Sequence, residues 1–170
     1  GETGGKDFIL AHESADPYEV ATGMSRGAFE FQGQKCSAAS RAYIPSSIWS
    51  EVKRILFEQV KSFKMGSPGD PSNFITAVID EKAFDKISNY IEQVRSSDDA
   101  KIILGGEYDK SKGYFISPTL VETKNPHSKT MCEEIFGPVL TIYVYDEKDW
   151  HDTLSLVDMT SDYALTGAVF

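Results

Sequence analysis

Apolar and polar positions along this chain repeat with two periods, and the switches between them predict its elements. Residues 7–12 form a short, mostly apolar run that reads as a buried strand. A helix follows, with Asp16 as its cap, Pro17 at the first helical position and Glu19 completing an Asp-x-x-Glu box. It is expected to run to about Phe31 and to break at Gly33. Residues 41–45 predict a second strand, and Ser46 or Ser47 opens an amphipathic helix whose stripe is Ile48, Val52, Ile55, Leu56, Val60 and Phe63. Residues 65–73, rich in Gly, Pro, Ser and Asp, read as a loop.

Asp80 caps a third helix, with Phe84, Ile87, Ile91 and Val94 at helical spacing. Residues 101–104 predict a strand before the Gly105-Gly106 turn. Residues 114–116 and 119–121 predict short extended pieces split by Pro118, which argues for an edge or a kink. Residues 139–145 are apolar, β-branched and aromatic throughout, as a strand covered on both faces must be. A last helix is expected over residues 147–159 and a last strand over 165–170. Strands alternating with helices of this length predict one α/β domain: a largely parallel open sheet with helices on both faces.

Charge narrows the partners. Seventeen Lys and Arg against 26 Asp and Glu give a net charge of −9 over 170 residues, with no basic run to displace counterions, so the sequence reads as no nucleic-acid binder. No segment approaches the ~18 apolar residues a membrane span needs, and there is no secretory signal. The reading is no membrane partner and no secretion. Two cysteines, Cys36 and Cys132, are too few for a disulfide framework and fit a reducing compartment. His12, His127 and His151 stand far apart without ligand spacing, so no metal is expected.

Three segments carry candidate chemistry. Cys36 sits in Gly33-Gln34-Lys35-Cys36-Ser37, a polar turn with a cation beside it. Residues 37–39 are expected to start a helical turn whose free N–H groups stabilise a thiolate. Most free cysteines are simply small buried hydrophobes, so spacing leaves both readings open. Gly1-Glu2-Thr3-Gly4-Gly5-Lys6 runs into the first strand, either as a turn with a solvated Glu2 or as a carboxylate held by close-packed backbone and available as a general base. Cys132-Glu133-Glu134-Ile135-Phe136-Gly137-Pro138 leads into the strongest strand. Its carboxylates are hydrated surface groups or, at the lip of a parallel sheet, holders of ribose hydroxyls; Cys132 reads as packing.

Together, Glu-x-Gly-Gly-Lys at residues 2–6, Gly-Gln-x-Cys at 33–36 and Glu-Glu-Ile-Phe-Gly-Pro-Val at 133–139 resemble the aldehyde dehydrogenase family. The 34-residue separation of Glu2 and Cys36 fits. Residues 113–119 and 165–170 extend the resemblance over essentially the whole chain, although Ala164 stands where the family usually has glycine. The resemblance implies the Rossmann-like catalytic domain of an NAD-dependent enzyme acting on a small-molecule aldehyde. It implies Cys36 as nucleophile, Glu2 as the base for hydrolysis, Glu134 on the cofactor ribose, Phe136 beside the nicotinamide and the Thr3 carbonyl near its amide. Lys35 and Ser37 are the candidate substrate contacts. A basic residue directly before the cysteine suits a substrate with carboxylates, and within the family the resemblance points to oxidation of glutamate γ-semialdehyde to glutamate in proline catabolism.

Competing readings are an aldehyde dehydrogenase of other specificity, a thiol hydrolase and a non-catalytic module of the same shape. The chain begins without Met and stops at Phe170 within an apolar run. It is therefore expected to be residues 1–170 of a catalytic domain whose NAD-binding domain and oligomerisation hairpin lie elsewhere, inactive alone. At full length it would be a homo-oligomer, cytoplasmic in a bacterium or in the mitochondrial matrix of a eukaryote.

Overall fold

The computed structural model, which describes residue 1 and residues 3–170, is a mixed chain of strands and helices. The order is β1 (Asp7–Leu10), α1 (Pro17–Phe29), β2 (Ala39–Pro45), α2 (Ser46–Lys61), α3 (Glu81–Arg95), β3 (Ala100–Leu104), β4 (Tyr108–Asp109), β5 (Phe115–Ile116), β6 (Thr119–Thr123), α4 (Lys129–Cys132), β7 (Val139–Tyr145), α5 (Trp150–Met159) and β8 (Gly167–Val169). Local chemistry explains two of the helix starts. The Asp16 side chain accepts the N–H groups of Tyr18 and Glu19, and Asp80 accepts that of Ala83, relieving the orphan donors of α1 and α3. The helix expected over 147–159 begins as a 3₁₀ turn, Glu147–Asp149, before α5.

Six strands form one sheet in the order β3-β6-β7-β2-β1-β8, and β4 pairs with β5 apart from it. Only the β3–β6 pair of the large sheet is antiparallel. Strand β6 lies inside the sheet, contrary to the edge or kink expected from Pro118. The proline stands just before the ladder, which begins where the Thr119 N–H donates to the Pro138 carbonyl at 2.8 Å. No sheet hydrogen bond is lost to it.

The helices divide between the two faces. Val20 and Met24 of α1 and Val52 and Leu56 of α2 pack with Ile9, Ala42, Ile44, Leu140 and Ile142 of the sheet on one side. On the other, Ile87 and Ile91 of α3 meet Val121 and Val139, while Val157 of α5 meets Leu10, Tyr43 and Tyr145. Alternation along β2 sends Ala42 and Ile44 to one face and Tyr43 to the opposite one, as the two-residue period requires. Each large apolar side chain fully buried this way contributes about 1.5–3 kcal/mol.

Pairing then fixes where the candidate chemistry lies. Asp7 pairs with Ala39, Arg41 with Thr141, and Thr119 with Val139. The loops entering β1, β2 and β7 are therefore side by side at one end of the sheet.

Candidate functional site

Those three entering loops are the three segments singled out in the sequence, and they meet through glycine. A Cβ on Gly5 would lie 2.0 Å from the carbonyl oxygen of Cys36, so no larger residue fits there without moving backbone. A Cβ on Gly33 would lie 2.3 Å from the carbonyl oxygen of Gly137. The Cys36 loop is thus held between the Gly4-Gly5 segment and the Phe136-Gly137 turn. Gly5 also donates its N–H to Glu134 Oε1 at 2.8 Å, and Gly4, at φ +144°, leaves room for the same carboxylate. Segments far apart in the chain become one lip. It is the amino-end lip of the parallel strands, not the carboxyl-end lip at which open α/β sheets usually hold ligands.

Cys36 is half-buried in a turn closed by the Ala38 N–H donating to the Lys35 carbonyl at 3.1 Å. The helical start expected at residues 37–39 is absent, because Ala39 already belongs to β2 and pairs with Asp7. The dipole argument for a thiolate therefore falls. Helix α1 stops at Phe29, short of the expected Phe31, and a kinked, left-handed turn through Phe31, Gln32 and Gly33 carries the chain into the Cys36 loop.

Lys35, the cation beside the cysteine, is exposed but not alone: its ammonium lies 3.1 Å from Glu30 Oε2. Glu30 also pairs with Arg26. Hydrogen bonds from Lys35 and Arg26 hold the Glu30 carboxyl below its ordinary pKa. Ser37 is exposed and lines a cleft of about 170 Å³ with Gly23, Gly27 and Thr166. Glu2 lies outside the described residues. Thr3 is exposed at the edge of a larger cleft, about 630 Å³, shared with Tyr90, Glu133 and Glu134.

Glu134 borders that cleft and a second, of about 500 Å³, lined with Lys82, Lys86 and Phe136. Lys86 of α3 donates to the Glu134 carbonyl at 2.9 Å, and the Tyr90 hydroxyl donates to the Glu133 carboxylate, so α3 braces this loop. Phe136 adopts φ 60°, left-handed backbone rare for a bulky side chain, and its ring is exposed at the rim. A carboxylate at the mouth of two clefts suits a pair of ribose hydroxyls, and an exposed ring beside it suits a flat heterocycle. This acceptor and this ring fit the ribose and the nicotinamide that the family resemblance implies there. Among the described residues no group of His, Cys, Asp or Glu is arranged to hold a metal ion.

Cys132 packs at the margin of the α5 core, and burial raises its thiol pKa, in keeping with the packing role expected of it. The sequence reading missed Lys6. Its side chain is buried, and its Nζ has no hydrogen-bond partner among the described residues. Burial, then the nearby Arg41 cation, lowers its pKa to about 7, against the opposing pull of Cys132, Glu134 and Glu133. Arg41, also buried, donates to the Lys6 carbonyl, the Tyr43 hydroxyl and the Val157 carbonyl. One basic residue at the head of an apolar run was the only signal available.

Comparison with known proteins identifies the family and the fold. The aldehyde dehydrogenase family profile matches residues 1–170. A mitochondrial Δ1-pyrroline-5-carboxylate dehydrogenase of Dictyostelium discoideum is 55% identical over 170 residues, covering 100% of this chain and 30% of that protein. The human protein of the same name is 50% identical over 171 residues, again 100% of this chain and 30% of its own. The crystal structure of the Mycobacterium tuberculosis Δ-pyrroline-5-carboxylate dehydrogenase bound with NAD superposes with a TM-score of 0.92 at 43% identity, covering 100% of this chain and 30% of that one. The present chain therefore spans about 30% of the length of these relatives. No helix among the described residues is long and apolar enough to cross a membrane.

Proposed function

This chain belongs to the aldehyde dehydrogenase family, and from that premise we propose that residues 1–170 are the cysteine-bearing catalytic domain of an NAD-dependent L-glutamate γ-semialdehyde dehydrogenase. The substrate is the open form of 1-pyrroline-5-carboxylate, the product is glutamate, and the step belongs to proline catabolism. One observation carries the reading: the Gly5 segment, the Cys36 loop and the Glu134 loop close on one another at the sheet's amino-end lip. Relatives named for this activity share half or more of the sequence.

In this reading Cys36 attacks the aldehyde carbon as a thiolate, forming a C–S bond and an oxyanion held partly by the Cys36 backbone N–H. What NAD supplies when bound is the acceptor for the hydride that leaves the same carbon. Glu2 then takes a proton from water as it adds to the resulting thioester. The C–S bond breaks, releasing the acid and restoring the thiolate. Glu134 would hold the ribose hydroxyls of NAD, and Phe136 and the Thr3 carbonyl would hold its nicotinamide. Lys35 and Ser37 contact the substrate. The full-length protein is a homo-oligomer, with its NAD-binding domain and oligomerisation hairpin outside this segment, in the mitochondrial matrix of a eukaryote or the cytoplasm of a bacterium.

The Lys35–Glu30 ion pair favours one competing reading, an enzyme for an uncharged aldehyde, because it offsets the cation meant for a carboxylate. NADH formation by the full-length protein, measured with glutamate γ-semialdehyde and with a simple aliphatic aldehyde, separates the two. Higher kcat/KM for the semialdehyde is expected. Cys36→Ala is expected to lose at least about 10³-fold in kcat. Undiminished turnover in that variant overturns the nucleophile, and preference for the simple aldehyde overturns the substrate.

A further inference from the structure

The chain reaches Cys36 through backbone that side chains seldom adopt. Phe31, Gln32 and Gly33 are consecutive left-handed residues, with φ of 53°, 57° and 65°. For residues other than glycine this conformation is strained, and it persists only where the surroundings over-determine it. Gly33 is fixed on one side by the Gly137 carbonyl, against which a Cβ would collide.

Gln32 shows what fixes the other side. Its side chain is only 4% exposed, and one residue holds both ends of its amide. Gln32 Nε2 donates to Thr76 Oγ1 at 2.8 Å, and Gln32 Oε1 accepts the Thr76 N–H at 3.1 Å. Two residues on, Gln34 Oε1 accepts the Ile79 N–H at 2.9 Å. Segment 76–79 is itself anchored, since Ile75 is buried and the Val78 N–H donates to the Tyr114 carbonyl at 2.9 Å. A primary amide suits this place because it supplies a donor and an acceptor on one rigid plane.

We propose that Gln32 is a positioning residue for Cys36, its clamp with Thr76 holding the left-handed turn that sets where the Cys36 sulfur lies. The proposal rests on the assignment of Cys36 as nucleophile. Gln32 acts four residues away through the backbone, and Thr76 acts through Gln32. An ångström of drift at an attacking atom can cost on the order of 10²-fold in rate, so the clamp matters far more to turnover than two buried hydrogen bonds matter to stability.

Three variants of the full-length protein test it: Gln32→Leu, which keeps the bulk and loses both bonds; Thr76→Val, which removes only the hydroxyl; and Thr76→Ser, which restores it. Each is measured for Tm, for kcat and KM with NAD and aldehyde, and for the iodoacetamide alkylation rate of Cys36 divided by that of Cys132 in the same molecule. Gln32→Leu is expected to lower kcat at least tenfold, with KM for NAD within about twofold, and to change the alkylation ratio at least fivefold. Thr76→Val should move in the same direction, and Thr76→Ser should return both readouts to within twofold of wild type.

A purely structural role predicts a lower Tm with kcat and the alkylation ratio unmoved. Wild-type kcat and ratio in folded Gln32→Leu and Thr76→Val overturn the proposal. Should Gln32→Leu fail to fold, the two Thr76 variants decide it in the same way. Retained turnover in Cys36→Ala would overturn the nucleophile instead, a separate result from the alkylation ratio, which requires no activity.

Discussion

The backbone N–H of Gly5 donates to the carboxylate of Glu134 at 2.8 Å, joining two loops 129 residues apart in the chain. One carboxylate therefore serves the protein as well as any ligand at the rim. Removing it leaves a buried N–H unsatisfied, at a cost of about 1–3 kcal/mol. Glu134→Ala is expected to lose that much in urea denaturation. Glu134→Gln, which keeps a carbonyl acceptor, should stay within about 1 kcal/mol of wild type. In the full-length protein both should raise KM for NAD if Glu134 holds the ribose as proposed. Equal stability of all three proteins would show that the Gly5 bond contributes nothing.

Gly5→Ala tests the close approach itself. Its new Cβ would lie 2.0 Å from a backbone carbonyl oxygen, so the Cys36 loop or the entry to β1 must move. We expect a loss of more than about 2 kcal/mol in unfolding free energy. Gly1→Ala, where nothing lies within 4 Å, is the control and should leave stability unchanged.

Lys6 makes stability depend on pH. Its pKa is about 7 in the folded chain, against an ordinary 10.5, so between those values the unfolded chain binds the extra proton. Stability then rises with pH across that window, by up to about 1.4 kcal/mol per pH unit. The contribution is complete above the unfolded value and is lost as pH falls through the folded one. Lys6→Met should remove this dependence. The stability gap between variant and wild type, measured by urea denaturation at pH 7 and pH 10, is expected to favour the variant more at pH 7. A gap independent of pH would overturn the assignment.

The Lys35–Glu30 pair separates specificity from stability. Both side chains are well exposed, and an ion pair in that setting is worth about 0–1 kcal/mol. Glu30→Gln should therefore change stability by less than about 1 kcal/mol. Lys35→Met should raise KM for glutamate γ-semialdehyde about tenfold in the full-length enzyme while leaving KM for an uncharged aldehyde unchanged. An equal rise for both substrates would remove Lys35 from carboxylate recognition.

What the sequence determined by itself is local. The helical stripe of Val52, Leu56 and Val60, the Asp16 and Asp80 caps and the two-sided apolar run of β7 are properties of neighbouring residues, because propensity, capping and period act within a few positions. The three motifs were legible for a related reason, as loops seated against one another through close-packed glycine admit few residue types. Tertiary structure alone decided what crosses the chain: the interior place of β6 despite Pro118, the start of β2 where a helical turn was expected, the burial of Lys6, and the seating of Gly5 against Cys36. It also decided that the lip is the amino end of the strands, and that Gln32, one polar residue among many in its segment, is the one clasped by Thr76. Such contacts depend on which segments the core brings together, and the burial that sets strand order is shared by the whole domain, so no short window of sequence encodes it.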